Sequence, residues 1–397
     1  MSARSSWSRR LRKRVNRRLY GALFRAYRAL FPTPAWTGQI PRASLRRLLI
    51  IQHYGVGDLI LTTPLIAFLK DQAPQAEIDV LASPRNAPVL AGDERVSRVF
   101  VHDHSWRRWL AVLPKLRARR YDATFSGQSA KGLDEGLTAS LAAHRRTYKI
   151  SVWRPKRYQG LFTTLTRVRP AGMHTAEHVL NLGYHALGMT MPPAGRALRA
   201  YPMRAPDDAA AGARVTAFVA DRQLEPFIIV NLTAFYASRD WAPEHCARFV
   251  LLLLERHADL AVVVTPAPRK PEAAGEVVRR CASPRVTLAP MFALLELASL
   301  VRHAAVVVST NTALVHLASA CRRPVVAVYA PELPADATLW LPVGVPYRAL
   351  ASPMRGVVSD IAPEAIADAF DELRREAASR ADTPLVSAAR RAGGAPR

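Results

Sequence analysis

Asp58 is the only acidic residue in Leu48 to Pro64, LLIIQHYGVGDLILTTP, where an apolar run, two glycines and an amphipathic run follow one another without a spare residue. Leu48 to Gln52 predicts a strand buried on both faces, Gly55 and Gly57 let the backbone turn tightly, and Asp58 then stands near the N-terminus of a helix. The helix dipole there favours an ionised carboxylate, which suits a general base near neutral pH. Aspartate is also a preferred helix cap, and that is the plainer use of the same residue. Gly55-x-Gly57, with Asp79 about twenty residues on, has part of a dinucleotide fingerprint. Ile60 takes the place of its third glycine, and Asp58 would repel a pyrophosphate at the same helix end.

A second set of residues suits an anion. In Val306 to Pro331, VVVSTNTALVHLASACRRPVVAVYAP, a buried strand ends at Ser309 and Asn311 is positioned to cap the next helix. The backbone N–H groups of Thr312, Ala313 and Leu314 would then point out of the sheet edge, with the Thr310 and Thr312 hydroxyls as further donors for a diphosphate. His316, one turn on, faces either that ligand or the core. Asn231 to Trp241, NLTAFYASRDW, follows another strand and offers Ser238 and Arg239 to a phosphate, unless Arg239 is spent on a surface ion pair with Asp240 or Glu244. Thr265 to Glu272, TPAPRKPE, ends a third strand of the same half. His174-Thr-Ala-Glu177-His178 matches a short zinc-protease pattern, but it continues as an ordinary amphipathic helix and no third ligand follows in context, so no metal is expected.

These groups need a scaffold of alternating strands and helices. Strands are expected at Leu48 to Gln52, Ile78 to Ala82, Arg98 to His102, Asp122 to Ser126 and Thr147 to Ser151, with helices at Leu59 to Gln72 and Arg107 to Arg119. A helix from Thr175 to Leu187 leads to a second alternation, with strands at Phe227 to Asn231, Leu260 to Thr265, Ala304 to Ser309 and Val325 to Tyr329. Helices lie near Glu244 to His257, Glu272 to Cys281, Phe292 to Val301 and Thr312 to Cys321. Two Rossmann-like halves result, which suits the two-domain length of 397 residues. The expected divisions are a basic extension and linker over 1–41, a first domain over 42–200, a second over 201–350, a terminal helix over 351–377 and a disordered tail over 378–397.

Lys+Arg 56 against Asp+Glu 31 gives a formal charge of +25, which points to an anionic partner. Trp7 to Phe31 carries no acidic residue and spaces Leu11, Val15, Leu19, Leu23, Tyr27 and Leu30 as a cationic amphipathic helix. Residues 1–31 are therefore read as docking to an anionic membrane surface, with a solvated basic tail or a helix packed on the body as the alternatives. No apolar run approaches the ~20 residues of a membrane span, and no signal peptide is expected. Arg145 to Arg169 forms a second basic passage suited to an anionic acceptor, with a solvated basic loop as the alternative. Cys246, Cys281 and Cys321 are odd in number and widely spaced, which fits a reducing, cytoplasmic setting. A non-catalytic nucleotide- or nucleic-acid-binding protein is the alternative, but aromatic residues are sparse among the basic ones and no RNA-binding signature occurs, so no nucleic acid partner is expected.

RLLIIQHYGVGDLILTTPLIAFLKDQAPQAEIDVLA resembles the opening of glycosyltransferase family nine, the bacterial lipopolysaccharide heptosyltransferases. STNTALVHLASACRRPVVAVY resembles that family's donor-site segment, and SRDWAPEHCARFV its central phosphate-contacting segment. The resemblance, over roughly Arg47 to Tyr347, implies a GT-B fold of two Rossmann-like domains facing a central cleft, with acceptor on the first and nucleotide sugar on the second. It implies metal-independent, inverting sugar transfer, typically of heptose from an ADP-activated donor to a lipopolysaccharide core hydroxyl. It places this at the cytoplasmic face of the inner membrane, without a cofactor. By the same resemblance the catalytic base falls on Asp58, and Gly55, Gly57 and Thr62 share its segment. Glu272 matches loosely a family carboxylate near the ribose or sugar. Arg239, Asn311 and Ala313 stand where the family usually has lysine, aspartate and glycine.

Overall fold

The β-branched and aliphatic runs form strands where burial on both faces rewards them. In the computed structural model Leu48, Leu49, Ile50 and Ile51 are buried in β1 (Arg47–Ile51), at the centre of a six-stranded sheet. The structure describes residues 30, 33–103, 105–127, 133–152, 159–166, 173–330, 338–353 and 356–381. Apart from Leu30, the basic stretch 1–31 lies outside these, as do Arg154, Lys156, Arg157, Arg167 and Arg169 of the second basic passage and the tail beyond Ala381.

Around β1 stand β2 (Glu77–Ala82), β3 (Arg98–Val101), β4 (Ala123–Ser126), β5 (Tyr148–Val152) and β6 (Thr164–Thr166), in the order β3-β2-β1-β4-β5-β6. The second sheet holds β7 (Phe227–Asn231), β8 (Ala261–Val264), β9 (Val286–Leu288), β10 (Val306–Thr310), β11 (Val325–Tyr329) and β12 (Tyr347–Ala351), in the order β9-β8-β7-β10-β11-β12. Every strand pairing in both sheets is parallel. The winding is the same in both, and each reverses direction at its centre, between β1 and β4 and between β7 and β10. Such a reversal opens a crevice at the carboxyl ends of the strands.

The connecting helices are α1 (Val56–Ile60), α2 (Thr63–Gln72), α3 (Trp106–Ala118), α4 (Leu133–Ala142), α5 (Thr175–Ala186), α6 (Arg196–Ala200) and α7 (Ala209–Asp221) in the first part of the chain. They continue with α8 (Pro243–Arg256), α9 (Pro271–Cys281), α10 (Leu294–His303), α11 (Ala313–Ala320) and α12 (Pro363–Ala381). The helix expected over Leu59 to Gln72 is two helices. Pro64, which has no N–H to donate, opens the second, and the Thr62 hydroxyl takes up the Asp58 carbonyl at 2.7 Å where the first ends. The sequence reading missed the short edge strands β6, β9 and β12, the five-residue α6 and the alanine-rich α7. The terminal helix runs four residues past its expected end, to Ala381.

One buried apolar cluster extends from Leu48 and Ile50 through Leu59 and Leu317 to Val307 and Tyr329, so the two halves share a core. Asp79, the acid that a dinucleotide fingerprint would need, lies wholly buried on β2. Its Oδ2 accepts from Arg119 Nε at 2.8 Å and from the Tyr121 hydroxyl at 2.8 Å. It is therefore a structural anchor. Arg119→Ala would leave that carboxylate buried without its cation and should cost about 3–5 kcal/mol in urea unfolding; a loss under about 1 kcal/mol would mean that Tyr121 alone satisfies it.

Candidate functional site

Asp58 sits in the first turn of α1, directly beyond the carboxyl end of β1. Its Oδ2 accepts the backbone N–H of Gly55 at 3.0 Å, which closes the helix start upon itself. The glycines of this turn supply space. Gly55 has φ −88°, open to any residue, but a Cβ there would lie 2.5 Å from Asp58 Oδ2 and displace the carboxylate. The tight turn expected of Gly55 and Gly57 is thus corrected: neither has a positive φ, and both make room for a neighbour. Asn86 holds the turn from outside, donating to the carbonyls of Gln52 at 3.0 Å and Gly55 at 3.2 Å. Its Oδ1 accepts the N–H of Ser83 at 2.7 Å.

Opposite stands α11. Thr312, in extended conformation, is its cap: the hydroxyl accepts the N–H of Leu314 at 3.2 Å. Asn311 had been expected in that role, and Leu314 among the ligand donors; the Thr312 hydroxyl, not Asn311, occupies the Leu314 N–H. Among the described residues the N–H groups of Thr312 and Ala313 have no acceptor. Asn231, at the end of β7, fixes the cap by donating to Ser309 Oγ at 3.0 Å and Thr312 Oγ1 at 3.3 Å.

The two sides enclose a cleft of about 580 Å³. The first half contributes Gly55, Gly57, Asp58 and Arg85; the second contributes Phe235, Tyr236, Arg239, Asn311, Thr312, Ala313, His316 and Trp340. Arg239 lies over the Tyr236 ring, 5.2 Å from its centroid, and its Nε is shielded from water with no acceptor among the described residues. Asp240 is engaged with Lys270 at 2.5 Å, and among the described residues no ion pair joins Arg239 to Asp240 or Glu244. Among the described residues Asp58 is the one carboxylate in the wall, against Arg85 and Arg239. Burial, reinforced by His174, pushes the His316 imidazole down to about 3. His316 is both core and cleft wall: it is buried, yet its ring closes one side of the pocket.

The remaining expected residues stand back from the cleft. Thr62 is buried beneath α1, Thr310 is buried in β10, and Leu314 is buried behind the cap. Ser238 and Glu272 are exposed outside the wall. His174 caps α5 through Nδ1, which accepts the N–H of Ala176 at 3.1 Å, and its Nε2 bonds the Leu341 carbonyl at 3.0 Å. Thr175 donates to the Leu339 carbonyl at 2.8 Å, so this turn fastens the first half to the second. The zinc-like spelling is a helix start. Arg85, Asn86, Asn231 and Trp340 had not been singled out; a basic and an amide residue just beyond a β-strand were the available signal for the first two.

Two doubly wound parallel sheets facing one cleft, with a carboxylate on one side and guanidinium and backbone N–H donors on the other, have the GT-B architecture of glycosyltransferases. Residues 109–354 match the model of glycosyltransferase family 9 (heptosyltransferase), and the chain belongs to that family. It is accordingly an enzyme, which sets aside the reading as a non-catalytic binding protein. A lipopolysaccharide heptosyltransferase 3 of Escherichia coli is 25% identical over 313 residues, 72% of this chain and 83% of that protein. The crystal structure of the glycosyl transferase family 9 from Veillonella parvula DSM 2008 shares the fold with a TM-score of 0.72 at 16% identity, over 86% of this chain and 99% of that one. The E. coli heptosyltransferase WaaC with ADP gives 0.64 at 20% identity, over 82% and 99%.

His316 generates a pH signature. The folded imidazole takes its proton only near 3, against 6.5 for the free group, so between these values the unfolded chain binds more protons. The stability this group contributes is complete above about 6.5 and falls as pH drops towards 3. In urea unfolding from pH 7 to 4.5, wild type should lose more stability than His316→Gln. Parallel pH profiles would show that the imidazole is not kept neutral by the fold.

Proposed function

We propose that this enzyme transfers heptose from an ADP-activated donor to a lipopolysaccharide core hydroxyl, with inversion at the anomeric carbon and Asp58 as general base. The observation that carries the reading is Asp58 facing Arg239 and the α11 start across one cleft. The names of the curated relatives and the ADP held by the solved E. coli enzyme support the acceptor and donor classes. Residues 42–200 take the acceptor, and residues 201–350 take the nucleotide sugar.

Asp58 removes the acceptor hydroxyl proton as that oxygen bonds to the anomeric carbon. The bond from that carbon to the donor phosphate oxygen breaks on the opposite face, and its electron pair leaves with the diphosphate. Arg239 and the N–H groups of Thr312 and Ala313 meet the developing negative charge. These groups supply the positive charge that a metal ion would otherwise bring, so the transfer is written as metal-independent. Residues 1–31 hold the enzyme at the anionic inner face of the membrane, where a glycolipid acceptor is presented.

Asp58→Asn keeps an oxygen for the Gly55 N–H and removes the base. Heptose transfer, followed by mass spectrometry of the acceptor, should fall by roughly 10²–10⁴, while ADP affinity stays near wild type. A variant that still transfers at the wild-type rate would sink the assignment, and a product retaining the donor's anomeric configuration would sink the inversion. Deleting Met1 to Phe31 should release the protein from anionic vesicles in a flotation assay, and undiminished flotation would refute membrane docking.

A further inference from the structure

The far end of α11 lies in a different cavity. Thr312 and Ala313 line the catalytic cleft, whereas Ala320, Cys321 and Arg322 line a second space of about 460 Å³. Eight residues of helix put the two roughly 12 Å apart. The second cavity is also walled by Arg95, by Met203 and Arg204 of the segment joining the two sheets, and by Arg302 at the end of α10. Arg95 and Arg204 precede β7, and Arg302 and Arg322 follow it, so both sides of the junction contribute. Among the described residues no acidic one lines it.

The four guanidinium groups are not equally compensated. Arg95 is paired with Asp93 through two contacts of 2.8 Å. Arg302 reaches Asp207 at 3.4 Å and donates to the Pro206 carbonyl. Arg204 donates to the carbonyls of Ala91 at 3.1 Å and Gly92 at 2.6 Å, contacts that fix its position without neutralising its charge. Arg322 has no carboxylate within ion-pair distance among the described residues.

Arg322 also stands where the backbone favours glycine. Its φ is +58°, just past α11, and the N–H groups of Arg322 and Arg323 close the helix on the carbonyls of Ser319 at 3.1 Å and Ala318 at 2.9 Å. A left-handed position is unfavourable for an L-residue, and here the side chain adds a fourth cation to a wall that already holds three.

We propose that this cavity is a second anion site, taking a phosphate or diphosphate group between Arg204 and Arg322. Guanidinium forks match phosphate oxygens in pairs, and a multivalent anion relieves the repulsion among cations drawn from both halves. The group comes either from a soluble phosphate ester or from a phosphorylated lipid headgroup. A ligand here bridges the segment that joins the sheets to the helix whose other end holds the donor site.

Calorimetric titration of the full chain with inorganic pyrophosphate tests the site. Wild type should show two binding events. Arg239→Gln should remove the event belonging to the catalytic cleft and keep the other. Arg322→Gly should weaken that other event roughly tenfold or more, with no fall in melting temperature because glycine accepts the +58° conformation. Arg204→Gln should weaken the same event. Loss of all pyrophosphate binding in Arg239→Gln, or wild-type binding in both Arg322→Gly and Arg204→Gln, overturns the proposal. Dioctanoyl phosphatidic acid, titrated as monomer, separates the sources: tighter binding than pyrophosphate assigns a lipid headgroup, and weaker binding assigns a soluble phosphate.

Discussion

The close approach of α1 to α11 governs the rest of the molecule. A Cβ on residue 57 would lie 3.0 Å from His316 Cδ2 and 3.4 Å from Ala313 Cα. Only glycine lets these helices touch at that distance, and each begins at the carboxyl edge of its own sheet. The contact sets the separation of the two edges and therefore the width of the cleft. Asp58 follows Gly57 in the chain, and Thr312 precedes Ala313, so the polar groups that face each other across the cleft are carried by the contact itself. Position 313 carries a methyl group, which leaves Gly57 as the partner without a side chain.

Charge is divided within this frame. The first sheet presents a carboxylate held by its own turn, and the second presents donors that have no acceptor among the described residues. His316 stands at the point of contact and could carry charge, but burial keeps it neutral. A cation there would sit beside the helix start, where it would meet the positive end of the dipole. The chain places its permanent charges, Arg85 and Arg239, at the walls instead.

The central strands and the position of Asp58 were legible because continuous apolar runs and a glycine-flanked acid are local signals. Edge strands such as β12, with alternating exposure, and β9, only three residues long, carry too little apolar pattern to be found. The motif segments led to the right loops but not to the right atoms within them. Thr312 rather than Asn311 became the cap because Asn231 and Ser309, 81 and 3 residues away, both reach its hydroxyl. The purpose of Gly57 was hidden for the same reason: its neighbours belong to the other half of the chain. Arg85 left little signal, since a basic residue in a loop acquires meaning only from what faces it.

The shared core has a consequence for how the enzyme exchanges its ligands. Leu59 and Ile60 pack in one cluster with Leu314 and Leu317, and the turn at His174 and Thr175 is bonded to the carbonyls of Leu341 and Leu339. Prying the sheets apart would wet this surface at about 25 cal/mol per Å² of apolar area and break those bonds as well. The seam is therefore shut, and traffic is confined to the mouth of the cleft. Phe235 and Tyr236, each 55% exposed and roofed by Arg269 and Arg239, form its rim. These two rings stand at the mouth of the cleft, so the short loop that carries them bounds what the opening admits.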